Sequence, residues 1–272
     1  MMLPLRSMAL GATAVVTLAS TAAAQRQEQS ALDWTGRVAA GRTIVVRNLN
    51  GEIDVRPADG DRASIVATKS WRRGRPELVR VELKRVGGDD GTVVACAFWN
   101  EEASCDETGY RSGRSRGMRW DDDNGPGDVS VRFEIRVPRG VKVVTSSVNG
   151  GIGVEGATAS VEAETVNGSI SARTSGGPVR ARTVNGGLDV TMGTTLTEDL
   201  EFETVNGGIT LTVPEGLDAD LSMKTVNGNV STEFPVTVTG RLNPKKLNAT
   251  LGKGGRRLSL ETVNGSVRLR KS

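Results

Sequence analysis

The sequence contains no histidine. This absence excludes Ser-His-Asp and Cys-His nucleophile systems, and it excludes zinc sites with histidine ligands. It also removes the commonest general base near neutral pH, so an enzyme would depend on carboxylates, Lys, Arg or the single tyrosine, Tyr110. We therefore expect a protein that is not an enzyme and that carries no cofactor.

Long hydrophobic runs are absent after the first residues. Residues 1–24 are typical of a secretory signal peptide, with a basic start ending at Arg6, an apolar run from Met8 to Ala19, and Ala22-Ala23-Ala24 before Gln25. No later apolar run is long enough to cross a bilayer. We expect a mature chain without a transmembrane segment, exported to the periplasm or to the extracellular space and cell surface.

Aromatic residues and cysteines are scarce. Aromatic residues make up 3% of the chain, against 34 glycines, and this profile is typical of many tight turns and thin packing layers. The two cysteines are Cys96 and Cys105. Because exported proteins fold in an oxidising environment, a Cys96–Cys105 disulfide is the favoured prediction, with free thiols or a bond to a second chain as alternatives.

The chain has no strong excess of charge, with a net charge of +3. This balance and the export signal give no support to nucleic-acid binding. Asp121-Asp122-Asp123-Asn124-Gly125 resembles part of a calcium-binding loop in residue type, but the glutamate that closes an EF-hand loop is missing. We predict a turn at this point and no metal site.

What the sequence does contain is a repeat. Thr-Val-Asn-Gly begins at Thr165, Thr183, Thr204, Thr225 and Thr262, and a near copy begins at Ser147. The Asn-Gly pairs of these copies are Asn149-Gly150, Asn167-Gly168, Asn185-Gly186, Asn206-Gly207, Asn227-Gly228 and Asn264-Gly265. Steps of 18, 18, 21, 21 and 37 residues separate the pairs, which indicates a repeat fold with one degenerate copy around Arg241 to Gly252.

The residues around each copy alternate as in a β-strand. Val161, Ala163 and Thr165 share one face, and equivalent residues share a face in the other copies. Two architectures are compatible with this pattern. One is an antiparallel meander, because Asn-Gly is the strongest short hairpin turn. The other is a β-solenoid, in which each period is one coil and equivalent residues stack about 4.8 Å apart.

Charges at the outward positions favour the solenoid. Glu164, Arg182, Glu203, Lys224 and Glu261 precede the repeated threonines, so the sign alternates along most of the copies. In a stack these residues would be neighbours, and opposite charges there stabilise by about 0.2 to 1 kcal/mol per exposed pair. A meander gives no reason for the alternation. We predict an all-β chain with a β-helix-like solenoid of about seven coils.

In this fold the Asn-Gly pairs are structural corners. Asparagine tolerates the left-handed backbone region and can offer its amide to a neighbouring coil, while glycine takes a positive φ without a Cβ penalty. These two properties explain both residue types without a ligand. We therefore predict a structural role for the six Asn-Gly pairs.

The N-terminal half also alternates, and Asn50-Gly51-Glu52-Ile53 is a distant copy of the corner. We predict a signal peptide over 1–24, an N-terminal β region over 25–140 with a cysteine-bracketed loop insertion at 96–128, and the solenoid over 141–272. The N-terminal β layer would precede the solenoid and protect its first coil, because solenoids need capped ends.

These features resemble a known family. The Asn50-Gly51-Glu52-Ile53 corner, the Val137-Pro138-Arg139-Gly140-Val141 approach and the serial Thr-Val-Asn-Gly corners are similar to those of the exported putative-adhesin family of β-strand-repeat proteins, a family of unknown function. The resemblance covers most of the mature chain. It implies a β-solenoid fold and supplies no catalytic residues. The segment from Cys96 to Asp128 departs from the family pattern.

The inserted segment contains the candidate interaction residues. Trp99, Tyr110, Arg111 and Trp120 combine aromatic and arginine side chains on a predicted loop, a combination that is common at interfaces. The alternative is that the aromatic residue Trp99 is an ordinary strand residue and that the arginines are merely solvated.

The function that these observations favour is a non-catalytic, adhesin-like role. The expected partner is an unknown envelope or surface component, with glycan as one option. The alternative is a β-helix polysaccharide lyase or another glycan-processing enzyme, which needs carboxylates converging on one patch. A periplasmic partner of a signalling system is a third interpretation, and nothing in the sequence tests it.

Overall fold

The structure is a computed structural model that describes residues 26–113, 125–193, 196–236 and 243–272. The predicted signal peptide, Trp120 and most of the predicted calcium-like turn lie outside these ranges. Apart from a 3-10 turn at Pro76–Leu78, the described elements are β-strands, which confirms the all-β prediction. No helix in the described ranges is long and apolar enough to cross a membrane.

The strands follow one another closely along the chain. They are β1 (Gln27–Arg37), β2 (Thr43–Arg47), β3 (Ile53–Pro57), β4 (Arg62–Trp71), β5 (Arg80–Val86), β6 (Thr92–Phe98), β7 (Ser104–Cys105), β8 (Tyr110–Arg111), β9 (Ser130–Val137), β10 (Lys142–Asn149) and β11 (Ile152–Ala157). The second half contains β12 (Val161–Asn167), β13 (Ile170–Thr174), β14 (Val179–Asn185), β15 (Leu188–Met192), β16 (Leu200–Asn206), β17 (Ile209–Val213), β18 (Ala219–Asn227), β19 (Val230–Thr232), β20 (Lys246–Leu251), β21 (Arg257–Asn264) and β22 (Val267–Lys271).

Within the described ranges these strands form two large sheets and one small one. Sheet A has the order β1-β4-β9-β3-β11-β13-β15-β17-β22-β19. Sheet B has the order β20-β18-β21-β16-β14-β12-β10-β2-β6-β5. The small sheet pairs β7 with β8.

Each repeat contributes one strand to each large sheet. Strand β12 lies in sheet B, the chain turns at Asn167-Gly168, and β13 lies in sheet A. The next repeat adds β14 and β15 beside these strands in parallel. The Asn-Gly corner therefore joins two facing sheets, and the repeats form a solenoid-like stack. The antiparallel meander is excluded for them.

Side-chain alternation places the core between the two sheets. In β12, Val161, Ala163 and Thr165 are buried while Glu162 and Glu164 are exposed, and β14 repeats this pattern. Most core side chains are small or β-branched, and a few large ones such as Phe133 and Phe202 are fully buried among them. Period-two alternation with one buried face is what a sheet packed on one side requires.

The order of the units in the stack differs from their order in the chain. Strands β21 and β22 pair with β16 and β17 on one side and with β18 and β19 on the other. This leaves β18 near the end of sheet B, where β20 pairs with it antiparallel. The predicted degenerate coil around Arg241 to Gly252 is therefore wrong. That segment supplies β20, which covers backbone groups that the end of a stack would leave unpaired.

The N-terminal strands belong to the same stack. Strands β2 and β3 pair in parallel with β10 and β11, and β6 and β9 pair in parallel with β2 and β3. The predicted N-terminal β layer is therefore not a separate layer, because its strands continue both sheets. Antiparallel strands β1, β4 and β5 cover this end of the stack.

Candidate functional site

The threonine of each repeat faces inward and connects one unit to the next. The five threonines are buried. Their Oγ1 atoms donate to glycine carbonyls of the neighbouring corner: Thr165 to Gly150 (2.9 Å), Thr183 to Gly168 (2.8 Å), Thr204 to Gly186 (2.8 Å), Thr262 to Gly207 (2.9 Å) and Thr225 to Gly265 (2.8 Å). Each buried hydroxyl thus satisfies a carbonyl that the corner leaves inside the stack.

The asparagines form a continuous ladder along the outside of the corner. Each Nδ2 donates to the Oδ1 of the neighbouring asparagine at 2.8 Å, in the order Asn227, Asn264, Asn206, Asn185, Asn167, Asn149. The predicted contact of each amide with the next coil is therefore present. Its other predicted property is not used, because no described non-glycine residue has a positive φ.

The corner glycines allow the backbones of neighbouring corners to approach each other closely. A Cβ added to Gly168 would lie 2.2 Å from the carbonyl oxygen of Gly150, and one added to Gly186 would lie 2.0 Å from that of Gly168. Side chains at these positions would push neighbouring units apart. The prediction of left-handed backbone is wrong for Gly168, Gly186, Gly207 and Gly228, whose φ angles lie outside that region. Close approach of backbone to backbone is the reason for glycine here.

The valine of each repeat points outward and is the feature that sequence reasoning missed. Strict alternation after an inward threonine could have found it. The valines form a stripe, here called the valine stripe, of Val166, Val184, Val205, Val263 and Val226, each between 39% and 49% exposed. Exposed large aliphatic residues in a continuous row are unusual on a protein surface and mark candidate interaction sites.

A second row runs beside the valine stripe, two residues earlier in each strand. This charge row has the order Glu164, Arg182, Glu203, Glu261, Lys224. The two rows line a groove of about 520 Å³, here called the valine groove. We take the valine groove as the candidate functional site, because it is concave, repetitive and partly apolar.

The charge row corrects the predicted alternation of charges. Lys224 is not beside Glu203, because β21 lies between their strands, and Lys224 Nζ lies 3.6 Å from Glu261 Oε2 instead. Glu203 is the register partner of Glu261, so two like charges are neighbours. Arg182 offsets part of this repulsion, since its Nε lies 3.3 Å from Glu203 Oε2 and its guanidinium also donates to Glu201.

Glu203 at the centre of the charge row and Glu201, two residues earlier in the same strand, form an unequal pair. Burial, a hydrogen bond with Glu201 and the negative charges of Glu201 and Glu261 raise the pKa of Glu203. Burial alone would also raise the pKa of Glu201, but hydrogen bonds with Glu203 and Arg182 hold that pKa below its usual range. On mild acidification the first proton therefore binds to Glu203, which weakens its repulsion of Glu261.

The inserted segment packs on the outer face of sheet B beside one end of the valine groove. Cys96 and Cys105 form a disulfide with a Cα–Cα distance of 6.5 Å, in agreement with the favoured pairing. The residues after β6, 99–113, are here called the flap. With the disulfide they bury Val45, Val94 and Phe98 on the outer face of sheet B. Phe98 itself belongs to β6, so the insertion begins later than position 96.

The flap is attached to the groove through Arg47. Its guanidinium donates to Ser146 Oγ at 3.2 Å and to the carbonyl oxygen of Glu107 in the flap at 3.0 Å. Ser146 and Ser147 line the same end of the groove. Arg47 thus fixes the flap beside this end of the groove.

The structure does not bring the predicted interaction residues together on an open surface. Trp99 is only 2% exposed and donates its Nε1 to the carbonyl of Val129 at 3.3 Å, so it is a core residue. Tyr110 is half-buried and stacks on Phe98 with ring centroids 5.7 Å apart, and burial raises its pKa. Arg111 is exposed and lies 2.9 Å from Asp106. Trp120 lies outside the described residues.

Asp106 holds the tip of the flap. It accepts hydrogen bonds from the Thr108 hydroxyl (2.5 Å), from the amides of Thr108 and Gly109, and from Arg111. These bonds, led by that of the Thr108 hydroxyl, hold the pKa of Asp106 far below its usual range. Arg111 therefore helps to order the flap.

Among the described residues no group of three or more cysteine or carboxylate side chains is arranged to hold a metal ion. The predicted calcium-like turn lies almost entirely outside those residues.

Comparisons with known proteins give one family and two structural likenesses. A search of curated proteins gave no match. A crystal structure of a putative cell adhesion protein from Clostridium sporogenes is similar with a TM-score of 0.46 and 10% identity, over 91% of this chain and 100% of that one. A putative adhesin from Bacteroides fragilis is similar with a TM-score of 0.30 and 11% identity, over 92% of this chain and 98% of that one.

The family model covers the stack of corners. The Toastrack DUF4097 model matches residues 123–270, which is more than half of the chain and includes every Thr-Val-Asn-Gly repeat. The resemblance noted from the sequence rested on these corners and the Val137–Val141 approach, and also on Asn50-Gly51-Glu52-Ile53, which lies before the matched range. This chain belongs to the Toastrack DUF4097 family.

Proposed function

We propose that this protein is an exported, non-catalytic binding protein with an adhesin-like role, and that its valine groove binds an extended glycan of the cell envelope or cell surface. In this proposal a solenoid of about seven coils presents the same small binding unit on five of them, about every 4.8 Å. The single observation that carries the proposal is this repetition of valine and charged residue along one groove, with the asparagine ladder next to the valines in the chain.

The chemistry of one unit suits a sugar ring better than a charged polymer. The valine side chain offers an apolar contact for the C–H face of a ring, while the charged side chains and asparagine amides can hydrogen-bond to hydroxyl groups. The charge row contains both signs, so it has no strong preference for a polyanion or a polycation. Weak contacts repeated along a polymer add up to useful avidity.

The carboxyl pair Glu201 and Glu203 is the observation that favours the alternative, a glycan-processing enzyme. Their pKa values move in opposite directions, as those of an acid and a base do in glycosidases. Their geometry argues against hydrolysis. The guanidinium of Arg182 contacts both carboxyl groups, so neither is a free acid or base beside a sugar ring. We therefore favour binding.

A glycan array with a groove variant tests the proposal. We expect the mature chain to bind at least one envelope glycan, and Val205→Asp to weaken that binding at least about tenfold, because a carboxylate would be desolvated in the apolar stripe. Val86→Asp is the matched control, since Val86 is 47% exposed and lies on β5, away from the groove. Urea unfolding of both variants checks that they are folded.

Two results would contradict the proposal. Equal binding by wild type and Val205→Asp would show that the groove is not the site. Release of new sugar ends from the bound glycan, lost in Glu203→Gln, would show that the protein is an enzyme.

A further inference from the structure

Among the described residues, the last corner of the stack has no counterpart of a bond that the inner corners make. In the inner corners the glycine amide donates to the asparagine carbonyl of the next unit: Gly150 to Asn167 (2.9 Å), Gly168 to Asn185 (3.0 Å), Gly186 to Asn206 (3.0 Å), Gly207 to Asn264 (2.9 Å) and Gly265 to Asn227 (3.0 Å). Within the described ranges the amide of Gly228 donates to no acceptor. Among the described strands, no further parallel unit lies beside the unit formed by β18 and β19.

The side chain of Asn227 is also held on one side only. Its Nδ2 donates to Asn264 Oδ1 at 2.8 Å. No donor to its Oδ1 is found among the described residues, whereas the Oδ1 atoms of Asn149, Asn167, Asn185, Asn206 and Asn264 each accept a bond from the next asparagine. Asn227 is exposed to solvent. Among the described residues, the Asn227 side chain therefore has fewer hydrogen bonds than the asparagines inside the ladder have.

The number of hydrogen bonds that hold the asparagine side chain and the glycine amide affects the chemistry of an Asn-Gly pair. The main-chain nitrogen of a glycine can attack the side-chain carbonyl carbon of the preceding asparagine, because no Cβ hinders the approach. The nitrogen must first lose its proton and turn toward that carbon. A glycine amide held by a hydrogen bond, beside an asparagine held from both sides, can do so only after the stack opens locally.

We propose that Asn227 is a site of spontaneous deamidation in the folded protein, and that the stack protects the other ladder asparagines. The Gly228 nitrogen forms a bond to Cγ of Asn227, and the bond from Cγ to Nδ2 breaks. The amide group leaves as ammonia with the proton that the Gly228 nitrogen gave up, and a succinimide ring remains. Water then opens the ring at either carbonyl, which gives aspartate or isoaspartate with no oxidant or reductant.

The modification would act on the end of the valine groove. A carboxylate at position 227 has no hydrogen to donate to Asn264, so the last bond of the ladder is lost. Isoaspartate also adds one carbon to the main chain at the corner. The affected unit carries Lys224 and Val226, which line the groove. Ageing of the protein would therefore loosen one end of the site first.

Site-resolved mass spectrometry tests the proposal. The folded mature protein is incubated at mildly alkaline pH in water enriched in heavy oxygen, digested at acidic pH, and analysed at the six ladder asparagines. We expect Asn227 to convert at least about tenfold faster than Asn167, Asn185 and Asn206, because each of those sites must first break the bonds of its corner. In Asn227→Gln the product at position 227 should disappear, since glutamine would need a larger ring.

The same incubation in denaturant is the control. Unfolded, the ladder sites should convert at similar rates, because each is an asparagine followed by glycine. Equal rates in the folded protein would overturn the proposal, as would a difference that persists in denaturant, because local sequence and not the stack would then set the rate.

Discussion

Replacement of Gly186 by alanine is expected to lower the free energy of unfolding by about 2 to 3 kcal/mol, as overpacking against a rigid neighbour does. The new Cβ would lie 2.0 Å from the carbonyl oxygen of Gly168 and 2.5 Å from its carbonyl carbon. Both are backbone atoms of the next unit, so neither can move away as a flexible side chain would. The loss would be measured by urea unfolding of the purified mature chain.

The adjacent glycine provides the control for this substitution. A Cβ at Gly187 would meet no atom closer than the carbonyl oxygen of Gly208 at 3.4 Å, which is ordinary contact. We expect Gly187→Ala to change the free energy of unfolding by no more than about 0.5 kcal/mol. If the two variants were equally stable, the corners would not be packed as tightly as the structure describes.

The second large effect is expected from the buried threonines of the repeats. Thr183→Val keeps the shape of a buried side chain but removes the hydroxyl that donates to the carbonyl of Gly168. A buried acceptor left without its donor costs about 1 to 2 kcal/mol. Urea unfolding should therefore show a loss of that size, smaller than the loss for Gly186→Ala.

The neighbouring valine is the control, because it faces the other way. Val184 is 39% exposed, so Val184→Thr adds a hydroxyl that water can satisfy. We expect its effect on the free energy of unfolding to stay within about 0.5 kcal/mol. A larger loss for Val184→Thr than for Thr183→Val would mean that the two faces of the strand have been assigned the wrong way round.

The strands and the corners could be predicted because their causes are local. Alternation in a stretch such as Val161 to Thr165 sets which side chains face the core, and the structure buries the predicted set. The disulfide followed from nearby cysteines and the expected compartment. The asparagine contact between coils followed from its amide chemistry. Each of these inferences needed only a few consecutive residues.

The order of the units could not be predicted, because near-identical repeats can stack on one another in many orders. Charge alone favours Lys224 beside Glu203, which would separate Glu203 from Glu261. In the structure β20 needs an end strand to pair with, and β18 precedes it in the chain. Pairing of a whole capping strand outweighs one exposed ion pair, which is worth about 1 kcal/mol or less. This competition between strand pairing and an ion pair is visible only in the three-dimensional structure.

The reason for glycine was also beyond sequence reasoning. Asn-Gly predicts positive φ from local turn preferences. At Gly186 the cause is instead a carbonyl of another unit, 18 residues earlier at Gly168. The candidate site shows the same limit. The valine stripe is implied by alternation, but the groove exists only because the units stack in parallel.

Engineered disulfides test the stacking order, on which the groove and the ladder both depend. Ser222 and Ser259 are register partners on neighbouring parallel strands and face outward, so their Cα atoms should lie about 5 Å apart, within reach of a disulfide. Glu201 and Ser222 are separated by β21, about 10 Å apart and too far for one. Non-reducing peptide mapping should therefore find a new bond in the Ser222→Cys/Ser259→Cys variant and none in Glu201→Cys/Ser222→Cys. The opposite result would place β18 directly beside β16 and contradict the stack described for this protein.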